Sequence, residues 1–543
     1  MNLLTAKPME SGQPIPRFIL WTIVGAGLLV SLAIYVHRLM TNGDNLDYLY
    51  IAWQTISRDG FHPFKWRFPV GYPYLLSIWL WLTGQAPRGD LFTLSPATVA
   101  AAKGLGVCLV IPSFVAVLAW LRQVKAPFPF LLGLLLSTSQ FLMVQFSIIG
   151  SEPLFICCSL LALVAWERAG QQDKPSLKLW LAASVSTLAA IQARQIGMAI
   201  PVAAMAYIFL HRKQHSPSWR RSAYLAAGAP LIFSLLIAVF TNPTYLVYFF
   251  ANPEAVEAPR PPFLQILADS LAAYRWTYPS VVLPKCFGTS GVLELLNLSF
   301  LAFPLALALY AVLAWGTVKV FGPAQAEGRI SSLYAAVSVL VFLACPYRDN
   351  RYFAPLLPVL LWLTLLGFLQ IGRIAGSRSA KTVAFLLLAW IGFQVATDVF
   401  AARKNIQTIW RLKEFPPWHP ERYVPTSELD FAGLLDAGAW IGMHSPSNSW
   451  VVSSKALFVQ ISARRYTEYP RGLEEAMRQS REKSIPLYVV LDSFPEANAY
   501  GRAKVTDILP RLQKEESRFE RVYTSPYLET QVYRYRNGDT ASP

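Results

Sequence analysis

Eleven apolar runs set the architecture, at residues 18–38, 97–120, 128–147, 152–167, 176–192, 195–211, 220–241, 292–315, 330–345, 352–371 and 381–401. About 20 apolar residues cross the hydrocarbon core of a bilayer as a helix. A soluble chain carries about a quarter charged residues. This one, 543 residues long, carries 15%, and 54% of it is hydrophobic. The expectation is a polytopic α-helical membrane protein with about eleven transmembrane helices. The run Phe18–Val36 is too long for the apolar part of a signal peptide and has no small-residue cleavage site, so it reads as a retained anchor.

Charge sets the expected orientation. Basic residues lie mainly in alternate connections: Arg122 and Lys125; Arg168, Lys174 and Lys178; Arg212, Lys213, Arg220 and Arg221; Lys319 and Arg329; Arg373, Arg378 and Lys381. Such connections stay in the cytoplasm. Loops 40–96 and 242–291, and everything after Ala401, then face outward. Counting the short Trp- and Tyr-rich segment 72–83 as a span would invert this pattern, so it is assigned to the membrane interface. Arg38 is a minor exception. The net charge of +16 is spread over these connections and forms no stripe, which argues against nucleic acid as a partner.

The expected domains are a cytoplasmic N-terminus (1–17), a membrane domain (18–401), a linker (402–424) and an extracytoplasmic α/β domain (425–543). That last domain alternates strand-like runs (Trp450–Ser453, Leu487–Leu491, Val532–Tyr535) with amphipathic helical stretches (Gly472–Lys483, Ala503–Glu515). It has no Gly-rich phosphate loop. Loop 242–291 is Pro-rich and then amphipathic over Leu264–Tyr274, as for a surface-lying lid. The five cysteines have no metal-ligand spacing, and a Cys286–Cys345 disulfide is one pairing they allow.

Chemistry concentrates in the loop Thr41–Tyr74. Asp44, Tyr48 and Ala52 share one face if the stretch is helical, and Asp47 lies one turn from Asp44. Asp44 is either a helix N-cap or a general base. Glu152, in Gly150-Ser151-Glu152-Pro153, begins a span; Ser151 as cap and Pro153 in the first turn explain a helix start without function. A carboxylate beside lipid is costly unless it faces a site or pairs with a cation. Lys65, Arg67, Arg194, Arg348 and Arg351 fall at the same outer level. Together they suit a lipid-linked phosphate, and singly they suit head-group contact. Lys103 is another candidate cation for either role. His62 has no partner spacing for a metal.

These motifs resemble a family. Gly43-Asp44, Tyr48 and Ala52, followed by Arg67, Pro69 and Gly71-Tyr72-Pro73, are similar to the outer loop of GT-C glycosyltransferases. The likeness is to the branch with protein O-mannosyltransferases, lipid A aminoarabinose transferases and rhizobial lipopolysaccharide sugar transferases. Ser151-Glu152-Pro153-Leu154, Arg194, and Arg351-Tyr352 with Pro355 and Pro358 fall in the family's order.

The resemblance implies transfer of a sugar from a polyprenyl-phosphate donor to a glycan, lipid or protein acceptor on the outer face of a bacterial inner membrane. It implies a first-loop Asp acting at the acceptor and basic residues holding the donor phosphate. The family's Asp-Glu pair is Asp44-Asn45 here, so Asp47 is a candidate for the second carboxylate. Catalysis is thus expected from Asp44, Asp47 and Glu152, phosphate binding from Lys65, Arg67, Arg194, Arg348 and Arg351, and substrate lining from Tyr48, Tyr72 and Tyr352. No cofactor is implied; use of a divalent metal varies across the superfamily, and nothing in the sequence demands one. The rivals are a lipid-linked-sugar flippase, disfavoured because no internal repeat is evident, and a non-catalytic scaffold.

Overall fold

The computed structural model describes residues 16–35, 43–57, 69–86, 95–241, 262–282, 298–322, 327–344, 350–374, 379–412, 430–453, 455–468, 473–491, 516–527 and 530–536. The first helices are α1 (Arg17–Tyr35), α2 (Gly43–Ser57), α3 (Gly71–Leu82), α4 (Pro96–Gln123), α5 (Pro129–Ser137) and α6 (Gln140–Ser147). Next come α7 (Glu152–Gly170), α8 (Leu177–Ala193), α9 (Ala199–Leu210), α10 (Pro217–Thr241), α11 (Phe263–Tyr274) and α12 (Thr277–Val282). The membrane part closes with α13 (Ala302–Val320), α14 (Arg329–Ala344), α15 (Leu357–Ile374) and α16 (Ser379–Leu412).

Each expected span is met by an apolar helix or a bent pair. Among the described residues, six helices are long and apolar enough to cross a membrane, and the pair α5 and α6, bent by 54°, would make a seventh. The other four apolar segments, Arg17–Leu32, Leu177–Ala193, Gln195–Leu210 and Arg329–Ala344, are 10–17 residues long. The chain is an integral membrane protein, and length and composition alone carry up to seven of the eleven expected crossings. Two boundaries move: the run at 292–315 is helical from Ala302 to Val320, with Lys319 in a last turn whose dipole favours a cation, and the run at 381–401 continues to Leu412, into the expected linker.

In lipid a helix break is tolerated where its polar groups find partners. At the α5–α6 bend the Thr138 hydroxyl lies 2.9 Å from Gln394 Oε1 on α16, and Ser139 caps α6 by accepting from Leu142 N–H. α7 packs against α4 and α8 at the centre of the bundle. At its C-terminal end the buried Glu167 accepts from Gly328 N–H (2.9 Å), Ser331 N–H (2.7 Å) and Ser331 Oγ (2.8 Å). A remote carboxylate thereby satisfies donors that the start of α14 leaves open. At 34 residues, α16 is about 50 Å long, well beyond a core of about 30 Å.

That domain contains α17 (Asp430–His444), β1 (Trp450–Ser453), α18 (Ala456–Ala463), β2 (Tyr466–Glu468), α19 (Leu473–Lys483), β3 (Leu487–Leu491), β4 (Phe519–Thr524) and β5 (Gln531–Tyr535). The sheet order is β2-β1-β3-β5-β4; β2, β1 and β3 are parallel, and β5 and β4 run antiparallel to their neighbours. Alternate residues feed two cores. Val452, Leu487, Val489 and Leu491 join Leu473, Ala476 and Met477 of α19. Val451, Tyr488 and Val490 join α17 and α18, and this second core continues into Leu46, Tyr48, Leu49 and Ala52 of α2 and Tyr72, Leu76 and Leu80 of α3. The domain therefore sits on the loop helices. β2, β4, α17 and α18 were not expected from the sequence, and the expected helix Ala503–Glu515 lies outside the described residues.

Candidate active site

The site is built where α7 begins, α8 ends and α15 is entered, at the end of the bundle that carries α2, α3 and the C-terminal domain. Arg194 has extended backbone (φ −153°, ψ 142°) and separates α8 from the 3-10 turn Gln195–Met198. Arg351 lies in the 3-10 turn Asn350–Leu356 that leads into α15. Both guanidinium groups turn to Glu152, whose side chain is 1% exposed: Arg194 Nη2 is 3.0 Å from Oε1, and Arg351 Nε is 3.6 Å from the same oxygen. Neither contact has hydrogen-bond alignment, so the cluster is held by charge. The ring of Tyr352 lies 5.0 Å from the Arg194 guanidinium and 6.0 Å from that of Arg351, within cation–π range. Phe342 stacks on Tyr352 at 5.8 Å and packs against Phe353, which meets Tyr274 at the end of α11.

One buried carboxylate faces two guanidinium groups here. Arginine suits phosphate because its planar fork matches the oxygen geometry. The cluster thus has guanidinium donors of the kind that suit an anion.

The glycines in the motifs are placed by close approach. A Cβ on Gly71 would lie 2.7 Å from the Gln192 carbonyl oxygen, so α3 starts directly on the end of α8, two residues before Arg194. A Cβ on Gly150 would collide with Glu152 Oε2. Tyr72 is fully buried and meets Tyr48 edge to face at 4.9 Å. Burial, with Tyr48 and Glu152 nearby, pushes the Tyr72 phenol well up, so it remains a neutral O–H. The Tyr48 hydroxyl donates to Ser151 Oγ at 3.1 Å.

No family model matches the sequence, and no curated protein does. Solved structures do. ArnT from Cupriavidus metallidurans bound to undecaprenyl phosphate is 12% identical with a TM-score of 0.55, over 96% of this chain and 98% of that one. The archaeal oligosaccharyltransferase AglB from Archaeoglobus fulgidus, in complex with an inhibitory peptide and a dolichol-phosphate, is 14% identical with a TM-score of 0.52, over 97% of this chain and 75% of that one. The chain shares the fold of these two proteins. At these identities the likeness is one of fold.

In this frame, Glu152, Arg194, Arg351 and Tyr352 come together, and Tyr48 and Tyr72 pack beside them as buried groups. Asp44 lies in the first turn of α2, which begins at Gly43, so it does not precede the helix as a cap would. Asp47 is half-buried on the same helix. Lys65, Arg67, Arg348 and His62, and both members of the Cys286–Cys345 pair, lie outside the described residues.

Two expectations change. Ser151 stands at the cap position of α7 but makes no side-chain cap bond: its backbone is helical (φ −75°, ψ −10°) where a cap is extended, and its hydroxyl accepts from Tyr48. Lys103 is 3% exposed, packed inside the protein rather than reaching for head groups. Sequence reasoning missed the Tyr48–Ser151 bond and the docking of α18, neither of which leaves a local signal. Among the described residues, no group of three or more His, Cys, Asp or Glu could hold a metal ion.

Proposed function

We propose that this protein is an integral-membrane glycosyltransferase that moves a sugar from a polyprenyl-phosphate donor to an acceptor hydroxyl on the extracytoplasmic face, with inversion. The observation that carries the proposal is the pair Arg194 and Arg351 gathered on one buried carboxylate, beside the helix that bears Asp44 and Asp47. The structural neighbours are consistent with it, having been solved with undecaprenyl phosphate and with dolichol-phosphate and a peptide.

In this reading Asp44 takes the proton of the acceptor hydroxyl as the oxygen attacks the anomeric carbon. The bond from that carbon to the phosphate oxygen breaks, and the electron pair leaves on the polyprenyl phosphate. Arg194 and Arg351, joined by Lys65, Arg67 and Arg348, stabilise the charge that accumulates there. Glu152 orients the two guanidinium groups, Tyr352 supports them, and Asp47 adds electrostatic support. The prenyl tail stays in lipid while phosphate and acceptor meet at its polar rim. The N-terminus is cytoplasmic and the C-terminal domain extracytoplasmic, in a bacterial inner membrane.

The test incubates purified protein with a panel of polyprenyl-phosphate sugars and measures release of the prenyl phosphate. Release dependent on the protein is the expected result. Movement of intact donor across proteoliposomes without release would replace the transferase reading with a flippase.

A further inference from the structure

The helix α2 carries the candidate base, while the phosphate-binding candidates sit on α8 and the approach to α15. Transfer demands that these two sets keep a fixed separation, because reacting atoms must be held about 3–3.5 Å apart. A direct hydrogen bond spans the gap. Tyr48 lies one turn after Asp44 and next to Asp47, and its hydroxyl reaches Ser151, 103 residues further along the chain. Ser151 is bonded to Glu152, which holds both arginines. Both ends of the bridge are enclosed: Tyr48 is 3% and Ser151 1% exposed. Tyr72, itself anchored by the close seating of Gly71 on Gln192, presses edge-on against the Tyr48 ring. Ser151 occupies a helix start where its hydroxyl would ordinarily cap, yet no cap bond forms.

We propose that Tyr48 is a positioning residue whose hydrogen bond to Ser151 sets the register between the carboxylates of α2 and the arginine cluster on Glu152. The buried Tyr48 ring is thereby a strut between the two halves of the site and not part of the substrate-contacting wall. The inference rests on the transferase reading. A merely structural Tyr48 would lower thermal stability and leave the turnover of folded enzyme unchanged; a strut moves turnover and leaves phosphate affinity intact.

The experiment uses the full chain in nanodiscs, with Tyr48→Phe, Ser151→Ala, the double variant and Ser151→Thr. Three quantities are measured: turnover on a donor that the wild type consumes, affinity for undecaprenyl phosphate, and hydrogen exchange of the α2 amides. A misplacement of about 1 Å lowers rate by roughly 100-fold. Tyr48→Phe and Ser151→Ala are therefore expected to lose about 10- to 100-fold in kcat with unchanged phosphate affinity and faster α2 exchange. The double variant should be no worse than either single one, since both remove the same bond. Ser151→Thr, which keeps the hydroxyl, should recover most of the rate. Normal kcat in both single variants overturns the inference, as does a parallel fall in kcat, phosphate affinity and melting temperature. If the wild type consumes no donor, the transferase reading fails by itself. The α2 exchange then decides the strut: faster in Tyr48→Phe supports it, and unchanged overturns it.

Discussion

Arg194 and Glu152 form a 3.0 Å ion pair around a carboxylate that is 1% exposed, and Arg351 leans on the same oxygen. Removing one member of a buried pair leaves an uncompensated charge and costs about 3–5 kcal/mol. Glu152→Ala removes the carboxylate that both guanidinium groups face. It should lower the thermal stability of the purified protein by an amount in that range. Added undecaprenyl phosphate should restore part of the loss, because an anion bound only to the folded state stabilises it by mass action. An unchanged melting temperature would show the pair to be dispensable.

The two arginines are expected to differ from a generic basic patch in their response to lysine. Replacing Arg194 or Arg351 by Ala should weaken undecaprenyl phosphate binding by about 1.5–3 kcal/mol, the range for hydrogen bonds to charged groups. Lysine restores charge without the planar fork, so affinity should return only in part. Calorimetric or fluorescence titration of each variant checks this. Unaltered affinity in both alanine variants would confine these residues to holding Glu152.

Much of the fold was legible because lipid leaves few options: apolar runs had to be helices, and Gly150 to Leu154 had to start one. The residues Glu152, Arg194 and Arg351 were visible singly, as charges placed where charge is costly. Their union on one oxygen was not visible, since it depends on the packing of three distant segments. Ser151 was misread for a related reason. A serine before a proline-containing first turn matches a cap pattern, but the helical backbone of Ser151 takes its hydroxyl out of cap geometry, and it accepts from Tyr48. The short strand Tyr466–Glu468 has three residues, too few for a period-2 pattern, and it becomes a strand through pairing with β1.

Orientation is open to a direct measurement. The basic end shared by α9 and α10, with Arg212 and Lys213 in the connection and Arg220 and Arg221 at the start of α10, is assigned to the cytoplasm by the positive-inside rule. A topology reporter inserted at Gln214 should report inside. Because α16 continues to Leu412, the complementary reporter belongs at the C-terminus, where it should report outside. The same compartment for both would overturn the eleven-span arrangement and the proposed side of the reaction.

Stability of the C-terminal domain should hinge on Arg465. Its Nη2 donates to the Gly442 and Ser445 carbonyls at 3.1 and 2.7 Å, and Nη1 to those of Ala463 and Arg464 at 3.3 and 3.2 Å. One guanidinium thus closes the C-terminal ends of both α17 and α18, where carbonyls lack helical partners and the dipole favours a cation. Arg465→Ala should destabilise by about 1.5–3 kcal/mol, since hydrogen bonds to a charged group are lost. As α18 also packs on α2, limited proteolysis should cleave this variant faster in residues 430–468. Wild-type proteolysis and melting would remove Arg465 from the account.

The two carboxylates of α2 are separable by experiment. Asp44 shares the helical face of Tyr48 and Ala52, the spacing that resembles the GT-C loop, whereas Asp47 does not. It also stands within the first turn of α2, where an acidic side chain favours the helix dipole. Asp44→Asn keeps the shape, and the charge of an Asp in a helix's first turn typically contributes only about 0.3–1 kcal/mol through the dipole. Folding and undecaprenyl phosphate binding should therefore stay close to wild type. Loss of a positioned general base lowers rate by about 10²- to 10⁴-fold, so turnover should fall in that range. Asp47→Asn should fall less, through electrostatics alone. Turnover, phosphate affinity and melting temperature measured side by side decide the matter. A folded Asp44→Asn protein with normal turnover removes Asp44 as the base, and abolition of turnover by Asp47→Asn alone transfers the role to Asp47.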